Sequence, residues 1–260
     1  MTSAYEILAQ LKRTASGPMT EARGAEPAFY WNEEVASAEE NAIFRHDWVC
    51  PGLASEIPDV GDYLTFSIAG EPVFSIRDSS GEIKTYANIC RHRMMQLLQG
   101  RGRTSRVTCP YHAWSYNLQG QLVGAGHMNH SVGFDKTKIC LPQICTEIWN
   151  GWIYITLNPD AQSMREALAP LNDVVARYGM EHYVAVLNEE HVWQTNWKLL
   201  TENFMEGYHL PVAHKATVGA WFAPNKTVFP DQSYDSFTYQ TFAKTHAARY
   251  GQAHPDNTRL

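Results

Sequence analysis

Four residues that can bind transition metals occur as two short pairs. Cys90 and His92 stand two apart, Cys109 and His112 stand three apart, and sixteen residues lie between the pairs. Two thiolates with two imidazoles are the ligand set of a Rieske-type [2Fe–2S] cluster, in which histidines replace cysteines on one iron. Neutral imidazoles reduce the negative charge on the cluster and raise its reduction potential. The two pairs therefore predict a cluster that carries one electron at a time.

Zinc is the main competing metal for this ligand set, because two cysteines and two histidines also suit tetrahedral zinc. Zinc motifs usually pair cysteine with cysteine and histidine with histidine, whereas each short motif here is mixed. The spacing favours the iron–sulfur cluster. A zinc protein with a structural or hydrolytic role, which would be colourless, is the alternative.

A second polar group lies downstream, on a helix predicted from Asn196 to about Leu210. Acids, an amide and a histidine recur on it at helical spacing: Glu202, Asn203, Glu206 and His209. Pro211 is expected to end this helix by forcing Leu210 into an extended conformation, so that His214 returns towards His209 from the following turn. Two converging imidazoles suit a 2-His-1-carboxylate iron site with open positions for O₂ and substrate.

The segments around these motifs differ in character. Residues 1 to about 45 are expected to be helical or irregular, and residues from about 47 to 158 are rich in short β-runs separated by turns at 69–72, 78–81 and 119–120. A helix is predicted from Ser163, as N-cap, to Tyr178, and a strand from Val184 to Val192. The predicted fold class is α+β. The predicted domains are 1–46 (a helical segment that packs on the third domain), 47–160 (all-β, cluster-binding) and 161–260 (iron-binding).

Composition excludes several other classes of protein. The formal net charge is −6, the hydrophobic fraction is 44%, and no run of Lys and Arg suggests a nucleic-acid partner. No stretch approaches the roughly 18 apolar residues that a membrane span requires, and the N-terminus lacks a signal-peptide core. A cytoplasmic location is expected, where cysteines are more often metal ligands than disulfide partners.

The two cysteine motifs, Cys90-Arg91-His92-Arg93 and Cys109-Pro110-Tyr111-His112-Ala113-Trp114, resemble the Rieske domain of aromatic-ring-hydroxylating oxygenase α subunits. Many relatives carry glycine after the second arginine, where this chain has Met94. The run from Asn196 to His214 resembles the mononuclear-iron motif of the same family. The resemblance implies a Rieske β domain followed by a catalytic domain of the helix-grip type, with a [2Fe–2S] cluster and a mononuclear Fe(II).

The resemblance also implies roles for the downstream residues. His209 and His214 would bind the iron, and Asn203 would lie near it without binding. Glu206 would link a cluster-ligand histidine of one subunit to an iron-ligand histidine of its neighbour. Aromatic dioxygenases usually carry Asp at this position, whereas the quaternary-amine branch (glycine betaine, carnitine and stachydrine oxygenases) often carries Glu. This branch is therefore the expected one.

The implied activity is O₂-dependent hydroxylation, with oxidative N-demethylation if the substrate is a quaternary amine. An NAD(P)H-dependent flavin and iron–sulfur reductase and a homotrimeric assembly are implied as partners. The family's carboxylate ligand lies over one hundred residues beyond the second histidine, and Asp231, Asp235 and Asp256 do not match its context. A fragment that binds iron weakly is therefore expected. The alternatives are an aromatic-ring dioxygenase α subunit and a non-catalytic Rieske electron carrier.

Overall fold

The computed structural model describes residues 3–21, 23–128, 130–220, 227–229, 234 and 236–242. Residues 33–190 form one compact unit, and the described residues of 1–32 and 191–260 form another. The domains predicted at 1–46, 47–160 and 161–260 divide the chain differently and remain predictions. The α+β class is confirmed, since the chain combines antiparallel sheets with short helices.

The described strands are β1 (Val49–Leu53), β2 (Asp62–Ile68), β3 (Glu71–Arg77), β4 (Ile83–Ala87), β5 (Arg101–Arg103), β6 (Val107–Thr108), β7 (Ser115–Tyr116), β8 (Leu122–Gly124), β9 (Gln143–Trp149), β10 (Trp152–Thr156), β11 (Thr227–Val228) and β12 (Thr241–Phe242). The α-helices are α1 (Ala4–Ala15), α2 (Ala28–Trp31), α3 (Glu33–Glu39), α4 (Met164–Ala167), α5 (Ala169–Val175), α6 (Trp197–Phe204) and α7 (Leu210–Ala213). A π-helical turn follows α3 at Glu40–Phe44. No helix in these ranges is long and apolar enough to cross a membrane.

An antiparallel seven-stranded sheet, in the order β1–β10–β9–β4–β3–β2–β5, is the framework of the unit 33–190. Two turns predicted from sequence join its neighbouring strands. Ala69 and Gly70 both have positive φ and close the β2–β3 hairpin, as a two-residue hairpin turn requires. The Asp78 side chain accepts hydrogen bonds from the backbone of Ser80 and Glu82 and so fixes the β3–β4 turn.

A smaller three-stranded sheet, in the order β6–β7–β8, completes this unit. Two hydrophobic cores support the two sheets. One core consists of residues that are at most 4% exposed: Ile57, Leu64, Ile68, Val73, Ile153 and Ile155. The other core contains both cysteines of the paired motifs together with Trp114 and Tyr116. The two cysteines of the predicted cluster motifs are thus part of a hydrophobic core.

The helix predicted from Ser163 to Tyr178 is wrong in two respects. The structure divides it at Leu168 into α4 and α5, because Pro170 lacks an N–H group and its ring would clash with a carbonyl of the preceding turn. Ser163 does not cap α4 through its hydroxyl. The carboxylate of Glu147, on β9, accepts hydrogen bonds from the Ser163 hydroxyl (3.2 Å) and from the backbone N–H of Arg165 (3.1 Å) instead.

The strand predicted from Val184 to Val192 is also wrong. No helix or strand occurs between Tyr183 and Asn196. Val184 and Val186 are 66% and 94% exposed. Alternating apolar residues form a strand only beside a partner strand that satisfies their backbone groups, and no described strand pairs with this segment.

Candidate metal centres

The two cysteine motifs occupy loops of the same design. Cys90 begins a six-residue loop between the bridged residues Ile89 and Gln96, and Cys109 begins a six-residue loop between the paired residues Thr108 and Ser115. Each loop therefore closes a hairpin. This placement brings the first ligand of each motif to the same position of its loop.

The backbone hydrogen bonds of the two loops also correspond. The Cys90 N–H donates to the Met95 carbonyl and the Cys109 N–H donates to the Trp114 carbonyl, both at 2.8 Å. The fifth residue of each loop, Met94 or Ala113, has φ of +57° and donates its N–H back to the cysteine carbonyl. The left-handed residue thus turns the chain back so that each loop closes on its own cysteine.

Thiols and imidazoles are separated by depth at this site. Cys90 and Cys109 are 1% and 3% exposed, whereas His92 and His112 are exposed. The two imidazole centroids lie 4.7 Å apart at an interplanar angle of 69°. Two buried thiols and two exposed imidazoles are the donor set that would hold a [2Fe–2S] group with two Cys and two His ligands. These residues therefore fit a [2Fe–2S] group.

Tyr116 supports the buried side of this site and was not singled out from the sequence. Its hydroxyl oxygen lies 3.4 Å from the Cys90 Sγ and accepts the Arg91 backbone N–H at 3.0 Å. The Tyr116 hydroxyl oxygen accepts the Arg91 N–H, so the hydroxyl's own proton can be donated to the Cys90 sulfur. Burial and the hydrogen bond with Cys90 both raise the pKa of Tyr116, so it remains a donor at neutral pH. A buried tyrosine hydroxyl usually has a hydrogen-bond partner, and this general rule is the one indication of the Tyr116 contact that the sequence offers.

Asn88 fixes the first loop and was likewise missed. This fully buried side chain donates to the Leu98 carbonyl at 2.8 Å and accepts the Leu98 N–H at 2.9 Å. These two hydrogen bonds resemble those between paired strands. They hold together the two ends of the segment that contains Cys90 and His92. A buried amide two residues before a ligand is costly unless both its groups are paired.

The second site lies where the predicted helix is interrupted. Helix α6 ends at Phe204, and the short helix α7 begins at Leu210 with Pro211 in its first turn. The expectation that Pro211 ends a helix at an extended Leu210 is therefore wrong, because proline is well suited to a first turn, where its missing N–H is not needed. The break falls earlier, at residues 205–209.

Glu206 both stabilises this break and contacts a predicted iron ligand. Its carboxylate accepts the backbone N–H groups of Tyr208 and His209, the latter at 3.3 Å, and its other oxygen contacts the Nδ1 of His209. Although burial acts to raise the pKa of Glu206, the hydrogen bonds from His209 and Tyr208 lower it below its usual value. A carboxylate on Nδ1 leaves the Nε2 of His209 available for a metal.

His209 and His214 are brought together at the two ends of α7. Their ring centroids lie 5.3 Å apart at 65°, a separation that suits two ligands of one metal ion. In the ranges that the structure describes, no third His, Cys, Asp or Glu joins them to form a metal-binding group. The aspartates weighed from the sequence, Asp231, Asp235 and Asp256, lie outside the described residues.

The other two polar residues of the predicted stripe have different surroundings. Asn203 is exposed on α6. Glu202 accepts hydrogen bonds from the Tyr30 hydroxyl at 2.9 and 3.0 Å, and Asn196 donates to the Tyr30 carbonyl at 2.8 Å. The segment around α2 is thus bound to α6 within the same unit. This contact joins residues that are 172 positions apart in the sequence.

Two family models match the chain. Residues 47–143 match the Rieske [2Fe–2S] domain, and residues 180–259 match the ring-hydroxylating α subunit (catalytic domain). Both candidate metal sites fall inside these matches.

Among curated proteins, the glycine betaine monooxygenase oxygenase subunit of Chromohalobacter salexigens is 33% identical over 218 residues, which are 82% of this chain and 49% of the relative. The carnitine monooxygenase oxygenase subunit of Escherichia coli K12 is 32% identical over 189 residues, 72% of this chain and 50% of the relative.

Solved structures agree with these matches. The quaternary ammonium Rieske monooxygenase CntA superposes with a TM-score of 0.76 at 27% identity, covering 82% of this chain and 59% of CntA. The naphthalene 1,2-dioxygenase of Rhodococcus sp. superposes with a TM-score of 0.74 at 28% identity, covering 90% of this chain and 56% of the dioxygenase. The chain spans about half the length of the curated relatives it matches.

Proposed function

The chain belongs to the Rieske non-heme iron oxygenases, and we propose that it is the metal-binding part of an oxygenase component that hydroxylates a small organic substrate with O₂. The observation that carries this proposal is the pairing of buried thiols with exposed imidazoles in two matched loops. The cluster ligands are Cys90, His92, Cys109 and His112. The mononuclear iron is held by His209 and His214.

When bound, the cluster supplies one-electron transfer and the iron supplies O₂ activation. The chain's own residues prepare both sites. Tyr116 and Asn88 hold the first loop so that the Cys90 thiol stays buried. Glu206 orients the His209 ring and keeps its proton on Nδ1, which presents Nε2 to the metal. Asn203 lies on α6 close in sequence to this site and is proposed to lie near the iron without binding it.

Glu206 is also proposed to accept a hydrogen bond from a cluster-ligand histidine of a second copy of the chain. Its carboxylate is half-exposed, and the cluster histidines are exposed as well, so the two groups are accessible to each other across copies. A ring of three chains would satisfy every such pair. The electron donor is proposed to be an NAD(P)H-dependent flavin and iron–sulfur reductase.

The proposed substrate is a quaternary amine. Two curated relatives are named for glycine betaine and carnitine, and Glu206 stands where aromatic dioxygenases usually carry Asp. Hydroxylation of an N-methyl group consumes O₂, two electrons and two protons and releases one water. The carbinolamine then loses a proton and its C–N bond breaks, which gives formaldehyde and the tertiary amine.

An aromatic-ring dioxygenase is the second candidate, because the fold also superposes on naphthalene 1,2-dioxygenase over 90% of the chain. The two candidates differ in product. Hydroxylation of a quaternary amine at an N-methyl group yields formaldehyde, whereas a ring dioxygenase yields a cis-dihydrodiol.

The first experiment measures iron, sulfide and zinc in anaerobically purified protein and records its EPR spectrum after dithionite reduction. A rhombic Rieske spectrum that is lost in Cys90→Ala and His112→Ala supports the cluster, and a colourless zinc protein refutes the oxygenase assignment. The reduced protein is then mixed with O₂ and with glycine betaine, L-carnitine, choline or naphthalene in single-turnover assays. Formaldehyde from an amine supports the proposed branch, and a cis-diol from naphthalene supports the alternative.

A further inference from the structure

We propose that Trp114 is a positioning residue for His92: its indole ring sets the plane, and so the direction, of the exposed imidazole. The inference rests on the proposed function, in which His92 is a cluster ligand. It adds to that proposal a protein group that controls how the ligand is oriented, beyond the four ligands themselves.

The two rings are stacked. Their centroids lie 4.8 Å apart and their planes differ by 10°, whereas His92 meets His112 edge-on at 69°. Trp114 is only 5% exposed, while His92 lies at the surface. An imidazole that binds a metal through one nitrogen can still turn about the metal–nitrogen bond. A flat indole against one face restricts that rotation, because turning the imidazole breaks the ring contact.

Trp114 itself is held in place by contacts on both its backbone and its ring. Its carbonyl accepts the Cys109 N–H at 2.8 Å, and its ring meets the edge of Phe134 at 5.6 Å and 64°. Phe134 belongs to a loop that Gln121 stabilises. The Gln121 side-chain amide nitrogen lies 3.0–3.1 Å from the carbonyls of Lys136, Thr137 and Ile139, which share its two hydrogens.

The contacts therefore run in series from the loop to the ligand. Phe134 supports Trp114, and Trp114 supports His92. The consequence at the tip is a fixed direction for the ring nitrogen of His92 that does not bind metal. That N–H is the group through which an exposed imidazole donates to a neighbouring acceptor, so its direction decides which acceptors it can reach.

Pulsed EPR on the dithionite-reduced, cluster-loaded protein tests this inference. The hyperfine couplings of the two ligating ¹⁴N nuclei depend on how each imidazole ring is oriented at the iron. We expect Trp114→Leu to shift one of the two ¹⁴N couplings while iron and sulfide remain at two each per chain. Trp114→Phe, which keeps an aromatic face, should restore the wild-type coupling. Trp149→Leu removes another buried tryptophan of the same unit and should leave both couplings unchanged.

A purely structural role for Trp114 gives a different result. In that case Trp114→Leu lowers cluster content, but the clusters that form have unchanged couplings, and this result overturns the inference. If Trp114→Leu assembles no cluster, Phe134→Ala decides: a shift in the same single coupling supports the inference, and two unchanged couplings overturn it. Wild-type protein without a [2Fe–2S] cluster would overturn the proposed function itself, and this inference with it.

Discussion

Replacing Met94 by glycine should stabilise the protein. Met94 has φ of +57° and its side chain is 65% exposed, so it contributes little packing in a conformation that side chains disfavour. A left-handed conformation costs a residue with a Cβ about 1–2 kcal/mol. Glycine removes that cost, but its greater freedom in the unfolded chain offsets about 0.5–1 kcal/mol. The expected net gain in the free energy of unfolding is about 0.5–1 kcal/mol.

Neighbouring residues provide the controls for this substitution. Ala113 occupies the same position of the second loop with the same φ of +57°, so Ala113→Gly should stabilise by a similar amount. Met95 is the next residue of the first loop. It is 43% exposed and, unlike Met94, does not have a positive φ. Met95→Gly should therefore destabilise by at least about 0.5–1 kcal/mol, since glycine there adds unfolded-state freedom without relieving a positive φ.

Urea unfolding followed by far-UV circular dichroism compares the wild-type protein with these three variants. The expected order of midpoints is Met94→Gly and Ala113→Gly above wild type, with Met95→Gly below it. In a melting experiment the gain corresponds to about 1–4 °C for a chain of this size. If Met94→Gly loses as much stability as Met95→Gly, the conformational cost assigned to Met94 is wrong.

Three further predictions concern the sites and the turn beside them. Tyr116→Phe should lower the midpoint potential of the cluster in an EPR-monitored redox titration, because hydrogen bonds to ligand sulfurs help set the potential; an unchanged potential would mean that the hydroxyl does not donate to Cys90. His214→Ala should reduce Fe(II) bound per chain beyond the two cluster irons, measured by metal analysis, with the Rieske EPR signal retained; equal iron in both proteins would exclude His214 as a ligand. Burial acts to raise the pKa of Asp78, yet hydrogen bonds from Ser80 and Glu82 lower it below its ordinary 3.8. A lowered pKa stabilises the folded state above the unfolded pKa, and this contribution is lost as pH falls through the folded one. Asp78→Asn should therefore destabilise by about 1–2 kcal/mol at pH 7 and by clearly less near pH 3, and a pH-independent difference in urea unfolding would contradict this.

The β hairpins and the cluster loops were predictable because their signals are local. Turns at Ala69-Gly70 and at Asp78 depend on the residues of the turn itself, and the structure confirms both. Each cysteine motif lies within a single six-residue loop, so its sequence alone specifies where the ligands fall. The family assignment rested on the same short motifs and is confirmed by the matches at 47–143 and 180–259.

The errors share a physical cause, which is that the deciding contact lies far away in sequence or is missing. Val184 to Val192 has the apolar pattern of a strand, but a strand also requires a partner, and none is present among the described strands. Serine is a common helix-capping residue, yet the Ser163 side chain does not cap α4. The backbone N–H of Arg165 instead donates to Glu147 on strand β9. The roles of Tyr116 and Tyr30 likewise depend on contacts that pattern reading does not reveal.

Glu206 shows why helical spacing was a partial guide at the second site. Spacing placed Glu206 and His209 on one helical stripe, and they do contact each other, although no helix connects them. The Glu206 carboxylate accepts the Tyr208 and His209 N–H groups that a continuing helix would bond to its own carbonyls. The same side chain therefore satisfies backbone N–H groups at the helix break and also contacts the His209 imidazole.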